Sequence, residues 1–334
     1  MADGPHRGIS VTLTALAVIG LAFSLDLLFG EPPTAFHPVA WFGRLVDGLD
    51  RRWSTTARRQ RLVGVGIAAA APLVPATVAG VGVAAAAALD PMAEGIVAAL
   101  VLSVTTSLRL LLELTANVVR ATDGDGARAR ELVVGLVGRD VSTLSPGELR
   151  SAALESAAEN LADGLVASLL AFAVLAPISL PFAAGVAAWI KGVNTLDSML
   201  GYPSKPIGTA SARLDDLVMY LPARIAAVAI AVAAADPRAL RRAGRWARVP
   251  PSPNSGWPMA TLACAIDVRL EKPSTYVLNS EAELPSLADG ERAVSLVGSA
   301  AIVSVLVAVG LAVVASAAGA ELESQVAAIA EVTR

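Results

Sequence analysis

The sequence predicts an all-α, polytopic integral membrane protein with about four to six transmembrane helices. Three observations carry this. Of 334 residues, 55% are hydrophobic and only 16% charged, where a soluble domain carries roughly 25% charge. Mean hydropathy is +0.62. Six apolar segments (9–29, 62–89, 92–112, 164–190, 217–235 and 293–320) approach or reach the roughly 20 residues needed to cross a bilayer.

Taken in order, segment 9–29 reads as a retained helix. A dense basic region does not precede it, and Asp26-Leu-Leu-Phe-Gly-Glu-Pro-Pro33 follows instead of a small-residue cleavage site. Segment 62–89 carries Pro72 and Pro75 and should kink; it pairs with 92–112 through the turn at Asp90-Pro91 as a spanning hairpin. Segment 164–190 is broken by Pro177 and Pro181, which suits a re-entrant or cavity-lining stretch.

Between the apolar segments, Asp123-Gly-Asp-Gly126 reads as a turn, and 127–136 and 146–161 as amphipathic helices. Ser145 with Glu148 forms a capping-box pattern. Pro250–Pro258 reads as an irregular loop and 259–268 as a short helix.

Arginine sets the expected orientation. Arg44, Arg51, Arg52, Arg58, Arg59 and Arg61 crowd one connection, and Arg238, Arg241, Arg242, Arg245 and Arg248 another. Arg120, Arg128, Arg130, Arg139 and Arg150 mark a third. The positive-inside rule places connections 30–61, 120–163 and 236–292 in the cytoplasm and the N-terminus outside. An even number of crossings must then separate the last two. Segments 164–190 and 217–235 therefore both cross, or neither does. The whole chain, 1–334, is expected to form a single membrane-embedded catalytic domain.

Composition also excludes some functions. A lone Cys264 cannot form an intrachain disulfide, and two histidines with one cysteine do not make a structural zinc site. A net charge of −3 gives no reason to expect nucleic acid binding. Neither a P-loop nor a dinucleotide-binding glycine fingerprint is present.

The polar residues that remain are concentrated. Lys191-Gly-Val-Asn-Thr-Leu-Asp-Ser-Met199 and Ala210-Ser-Ala-Arg-Leu-Asp-Asp216 lie between two apolar segments. Ionisable groups beside a bilayer are costly and are functional candidates by default. Asp197, Asp215 and Asp216 suit Mg²⁺, and Lys191 and Arg213 suit phosphate. The alternative for Asp215 and Asp216 is to cap a helix starting near Leu217. Glu155, Glu159 and Asp163 recur at i, i+4 and i+8, on one helical face. On spacing alone, a solvated acidic face explains them equally well. Asn254, Ser255 and Trp257 sit in a proline-framed loop that could present a ligand-binding amide or simply turn the chain. His37, before Pro38, reads more readily as a structural residue.

At these residues the chain resembles the adenosylcobinamide-phosphate synthase family of cobalamin biosynthesis (the CobD/CbiB type). Five blocks match in family order: Asp26–Pro33 with His37-Pro-Val; Glu155-Ser-Ala-Ala-Glu-Asn160 with Asp163-Gly; Lys191–Tyr202; Ala210–Asp216 with Pro222-Ala-Arg224; and Ser252–Pro258. Gly30-Glu-Pro32 stands where the family often has Gly-Asp-Pro.

The resemblance implies a multi-pass cell-membrane enzyme whose active site faces the cytoplasm. It implies an acid–amine ligation of adenosylcobyric acid with (R)-1-amino-2-propanol phosphate, or with aminopropanol, that uses ATP and Mg²⁺. Glu155, Asp197, Asp215 and Asp216 become the expected metal ligands. Glu159, Asp163, Lys191 and Arg213 are expected to be catalytic. His37, Asn160, Asn194, Ser211, Asn254 and Trp257 are expected to bind substrate. Expected partners are the corrinoid, the amine and membrane lipid. Other membrane-associated late enzymes of the pathway and a second copy of the chain are further candidates. A signalling protein of the AmpE-like type and a corrinoid transporter are the competing readings.

Overall fold

The computed structural model describes residues 4–332. Its helices, in chain order, are α1 (Gly4–Phe29), α2 (Pro38–Leu49), α3 (Ala57–Ala70), α4 (Leu73–Ala87), α5 (Pro91–Thr105), α6 (Leu108–Ala121), α7 (Gly126–Val133) and α8 (Pro146–Leu161). They continue as α9 (Ala167–Leu175), α10 (Leu180–Leu200), α11 (Thr209–Val218), α12 (Tyr220–Ala233), α13 (Pro237–Ala243), α14 (Gly256–Ile266) and α15 (Leu287–Val332). A π-helical turn, Ala162–Val166, joins α8 to α9, and a 3₁₀ turn, Pro206–Gly208, precedes α11. A short antiparallel hairpin, β1 (Leu270–Lys272) and β2 (Tyr276–Leu278), pairs Glu271 with Val277.

Five helical stretches are long and apolar enough to cross a bilayer: Val11–Phe29, Ala57–Ala87, Pro91–Ala121, Pro146–Leu175 and Leu287–Val326. Pro206–Val218 with Tyr220–Ala233, bent by 49°, would make a sixth. The protein is thus an all-α, multi-pass membrane protein.

The chain divides into two compact units. The first comprises Met1–Thr106, Ser168–Leu214 and Val305–Arg334. Here the 164–190 segment breaks at its prolines as expected, into two helices in a tight hairpin. Pro177 disfavours a helical conformation at Ala176, so α9 stops at Leu175. Ser179 then caps α10 by accepting from Phe182 N at 3.3 Å, with Pro181 tolerated in the first turn. Ser168 Oγ donates to Ala187 O at 3.2 Å, so the two arms run antiparallel.

α10 packs closely on α4 through small residues. A Cβ on Gly80 would meet Pro181 O at 3.2 Å, and one on Gly192 would meet Pro75 Cγ at 3.0 Å. Between membrane helices such close backbone approach supplies the dispersion contact that apolar burial cannot. The other end of α10 is held by a core of Phe42, Val46, Ala68, Leu196 and Leu200.

The second unit comprises Ser107–Ala167 and Asp215–Ser304. α6, α7 and α8 share a core of Val118, Ala129, Val133, Leu149, Ala152 and Ala153. The capping box is present: Ser145 Oγ accepts from Glu148 N at 3.3 Å, and Glu148 Oε2 accepts from Ser145 N at 2.7 Å. The amphipathic reading of 146–161 does not hold. α8 is buried all round, from Leu149 and Ser151 through Leu154, Glu155 and Ala158, as expected for a helix continuing into a membrane segment.

Breaks of the helical pattern have local causes. Pro222 would clash with the carbonyl of Val218, so α11 ends there, and the 217–235 segment consists of α12 joined at a bend to the last residues of α11. The π-turn contains Gly164, whose carbonyl accepts from Ser107 N at 3.1 Å. Ser107 lies at the break between α5 and α6, where its amide lacks an intrahelical partner.

Candidate functional site

The Lys191–Met199 stretch is helical, not an island between segments. Lys191, Asn194 and Asp197 are half-buried on the last turns of α10. Thr195 Oγ1 and Ser198 Oγ donate back to Lys191 O and Asn194 O at 2.8 and 2.9 Å, which leaves the hydroxyls little to offer a ligand. Asp197 packs against the helix end. A Cβ on Gly201 would fall 1.8 Å from Asp197 Oδ1, so only glycine there leaves room for this carboxylate. In the same unit Arg213 is exposed on α11, and buried Ser211 donates to Gly208 O at 3.0 Å. His37 caps α2 by accepting from Val39 N at 3.1 Å, and its Nε2 lies 3.3 Å from Glu31 Oε2.

Asp215 and Asp216 do not cap the helix near Leu217. They occupy the end of α11, half-buried. Carboxylates at a helix C-terminus oppose the helix dipole, so this position favours a cationic partner. Asp216 is tied to the 250–255 loop: its Oδ1 lies 3.5 Å from Ser252 Oγ, and its carbonyl accepts from Asn254 Nδ2 at 2.7 Å. Asn254 Oδ1 accepts from Arg224 Nη1, and Arg224 Nη2 also donates to Pro253 O at 3.1 Å. The Arg224 guanidinium lies 3.7 Å from the Tyr220 ring centroid and 5.7 Å from that of Trp257. Asn254 therefore spends its amide on holding the loop to the α11–α12 bend. Trp257 is half-buried at the start of α14, beside that guanidinium.

Glu155, Glu159 and Asp163 do not share one continuous α-helical face. The π-turn inserts an extra residue after Leu161, and Asp163 lies within it, rotated out of register with the two glutamates. Glu155 is only 4% exposed. Its Oε2 pairs with Arg139 Nη2 at 3.1 Å. Its Oε1 is buried with no hydrogen-bond partner, as is Arg139 Nε. Glu159 and Lys272 are the other charges acting on it. The Tyr276 hydroxyl lies 3.8 Å from Met259 Sδ. Burial, and then Glu155 and Glu159, push its ionisation far above the ordinary phenol range. Asn160 donates to Ser156 O and Oγ at 3.0 and 3.1 Å.

Arg139, Arg224 and Tyr276 were not singled out from sequence as site residues. Arg139 reads there as one more positive-inside charge, and Tyr276 carries no motif. Arg224 does fall in the Pro222-Ala-Arg block.

Among the described residues, no group of three or more His, Cys, Asp or Glu side chains is arranged to hold a metal. Magnesium bound largely through substrate phosphates needs only one or two carboxylates, and by donor type Asp215 or Asp216 fits that requirement. Glu155 suits the ion poorly, because a guanidinium already occupies one of its oxygens.

The family model for the CobD/Cbib protein matches residues 19–306. A "Probable cobalamin biosynthesis protein CobD" of Methanothrix thermoacetophila is 33% identical over 302 residues, covering 87% of this chain and 94% of the relative. The "Cobalamin biosynthesis protein CobD" of Rhodobacter capsulatus is 36% identical over 84% of this chain and 92% of its own. That of Pelobacter propionicus is 38% identical over 78% and 81%. No solved structure matches. With its apolar helices, its polar helix ends and a match running almost end to end, the chain belongs to the CobD/Cbib family of cobalamin biosynthesis proteins.

Proposed function

We propose that this chain is the ligase that joins adenosylcobyric acid to (R)-1-amino-2-propanol phosphate, or to the free amino alcohol, at the cytoplasmic face of the cell membrane. The observation that carries the reading is the placement of ionisable residues on ordered helices that continue from apolar segments: Glu155 and Glu159 on α8, Lys191 and Asp197 on α10, and Asp215 and Asp216 on α11. Ordering such groups there is costly unless they engage substrate.

The chemistry has two parts. A corrinoid carboxylate oxygen takes a phosphoryl group from ATP, giving an acyl phosphate and ADP. The amine nitrogen then attacks the acyl carbon, the C–O bond to phosphate breaks, and phosphate leaves as the amide forms. Magnesium, when bound, would offset charge on the transferring phosphoryl group. Asp215 and Asp216 would hold it, with Asp197 as a third candidate ligand. Lys191 and Arg213 would neutralise phosphate oxygens. The amine must lose a proton to act as a nucleophile, and Glu159 or Asp163 would accept it. Asn194 and Asn160, both half-buried, would orient substrate.

The test uses membranes bearing the chain with adenosylcobyric acid, aminopropanol phosphate and Mg-ATP, following corrinoid amide product. Asp197→Asn and Asp215→Asn should each abolish product while the protein stays in the membrane. Full activity in both variants overturns the metal-ligand assignment. Movement of unmodified corrinoid across vesicles, with no product formed, would favour a transporter instead.

A further inference from the structure

We infer that Arg139, Glu155 and Tyr276 form the subsite for the amine substrate, with Glu155 holding its ammonium group and Arg139 its phosphate or hydroxyl. This rests on the ligase reading and adds the location and the recognition chemistry of one substrate. All three residues belong to the second unit.

Glu155 is nine-tenths buried, and its Oε1 has no hydrogen-bond partner within bonding distance, with the Tyr276 hydroxyl close enough to act on the carboxylate without bonding to that atom. Arg139 pairs with the other oxygen, yet its own Nε is buried and donates to nothing. Buried polar atoms are almost always partnered, and each exception calls for an explanation. Here one spare acceptor and one spare donor stand on neighbouring side chains. The matching ligand carries a donor and an acceptor a few bonds apart. An amino alcohol, free or phosphorylated, has that pattern: an ammonium for Glu155 Oε1 and an oxygen for Arg139.

The surroundings agree with a small bifunctional ligand better than with a metal ion. Oε2 of Glu155 is already committed to a guanidinium, and no third acidic group completes a metal cluster among the described residues. Glu159 lies one turn further along α8, half-buried, where it can receive a proton from a bound ammonium. Lys272 adds a second positive charge that acts on the Glu155 carboxylate. β1 holds that lysine against α8: Ser151 Oγ accepts from Glu271 N at 2.7 Å. Tyr276 pairs with Lys272 across the hairpin, which places the two side chains on one face of it.

The test is calorimetric titration of the full chain in nanodiscs with 1-amino-2-propanol phosphate and with 1-amino-2-propanol, together with steady-state ligation. Glu155→Gln should weaken both amines tenfold or more while leaving the apparent KM for ATP unchanged. Arg139→Gln should weaken the phosphorylated amine more than the free one, a split that general damage to the fold would not produce. Tyr276→Phe preserves the shape of the hairpin and should raise the amine KM about three- to tenfold. The subsite is overturned if folded Glu155→Gln and Arg139→Gln proteins bind both amines within twofold of wild type, or if wild type binds neither. Wild type that binds amine but forms no amide would sink the ligase reading and leave the subsite standing. Wild type that ligates, with variants unaltered in amine KM, would sink the subsite alone.

Discussion

Removing one member of the Arg139–Glu155 pair should do more harm than removing both. The side chains are 14% and 6% exposed, and their charged atoms are 3.1 Å apart. At an effective dielectric near 20 that separation corresponds to an attraction of about 5 kcal/mol, which desolvation of the two ions largely offsets. Arg139→Leu leaves a carboxylate buried without its counter-charge, and Glu155→Leu does the same to a guanidinium. Each should cost about 3–5 kcal/mol. At about 2–4 °C per kcal/mol for a domain of 150–250 residues, Tm should fall on the order of 10 °C. The double variant Arg139→Leu/Glu155→Leu removes both ions and should recover to within about 1–2 kcal/mol of wild type, yet remain without ligase activity. A thiol-reactive fluorophore provides the assay, because Cys264 is the chain's lone cysteine and is buried. Losses that simply add in the double variant, or single variants as stable as wild type, would refute the reasoning. So would a stable double variant with full activity.

Other perturbations separate site from scaffold. Gly201→Ala should displace the Asp197 carboxylate, since the added Cβ would lie 1.8 Å from Oδ1, and should reduce ligation toward the level of Asp197→Asn in the membrane assay. Ser145→Ala removes the cap of α8 and should cost about 1 kcal/mol, seen as a Tm lowered by a few degrees with ligation unchanged. Burial pushes the Cys264 thiol up, against a smaller pull from Arg242. The folded protein should therefore resist iodoacetamide at pH 8 and label fully only when denatured. The sign for stability follows. Below about pH 8.5 neither state ionises this thiol. At higher pH the unfolded chain ionises first, so Cys264 contributes a loss of stability that grows with pH, measurable as a Tm difference from Cys264→Ala.

What was legible in the sequence was what depends on near neighbours. Apolar length marked the membrane helices, Ser145 with Glu148 marked the cap, and prolines marked the breaks at 72 and 177, though not the one before 222. What was not legible depends on distant partners. The break at Thr106–Ser107 has no glycine or proline to announce it, and its amide is satisfied by Gly164, far along the chain. The π-turn at Ala162–Val166 moves Asp163 off the face that the i, i+4, i+8 spacing implies. Burial of Glu155 depends on β1 and α14 packing on α8, so spacing alone left a solvated face equally open. Arg139 illustrates the same limit: local sequence shows a charge, and only the fold shows that it faces a buried carboxylate.

The hairpin of α9 and α10 bears on the parity of membrane crossings. α9 continues α8 through the π-turn, and Pro146–Leu175 as a whole is long and apolar enough to cross a bilayer, so the outgoing arm is this entire stretch and the returning arm is α10. Because Ser168 Oγ reaches Ala187 O, the returning arm is level with the outgoing one after a similar number of residues. Lys191 follows one turn later. The stretch Ser168–Ala187 therefore contributes no net crossing, and Lys191 lies toward the end at which α9 begins. Simple alternation of six spans would instead put Lys191 across the bilayer from that end. An ATP-dependent reaction on a corrinoid precursor needs its phosphate-binding residues on the nucleotide side of the membrane. In the proposed ligase reading, a hairpin that goes out and returns would keep Lys191, Asn194 and Asp197 on that side without a further helix. It also explains why a chain so poor in charge can keep a lysine and an aspartate so close to an apolar segment.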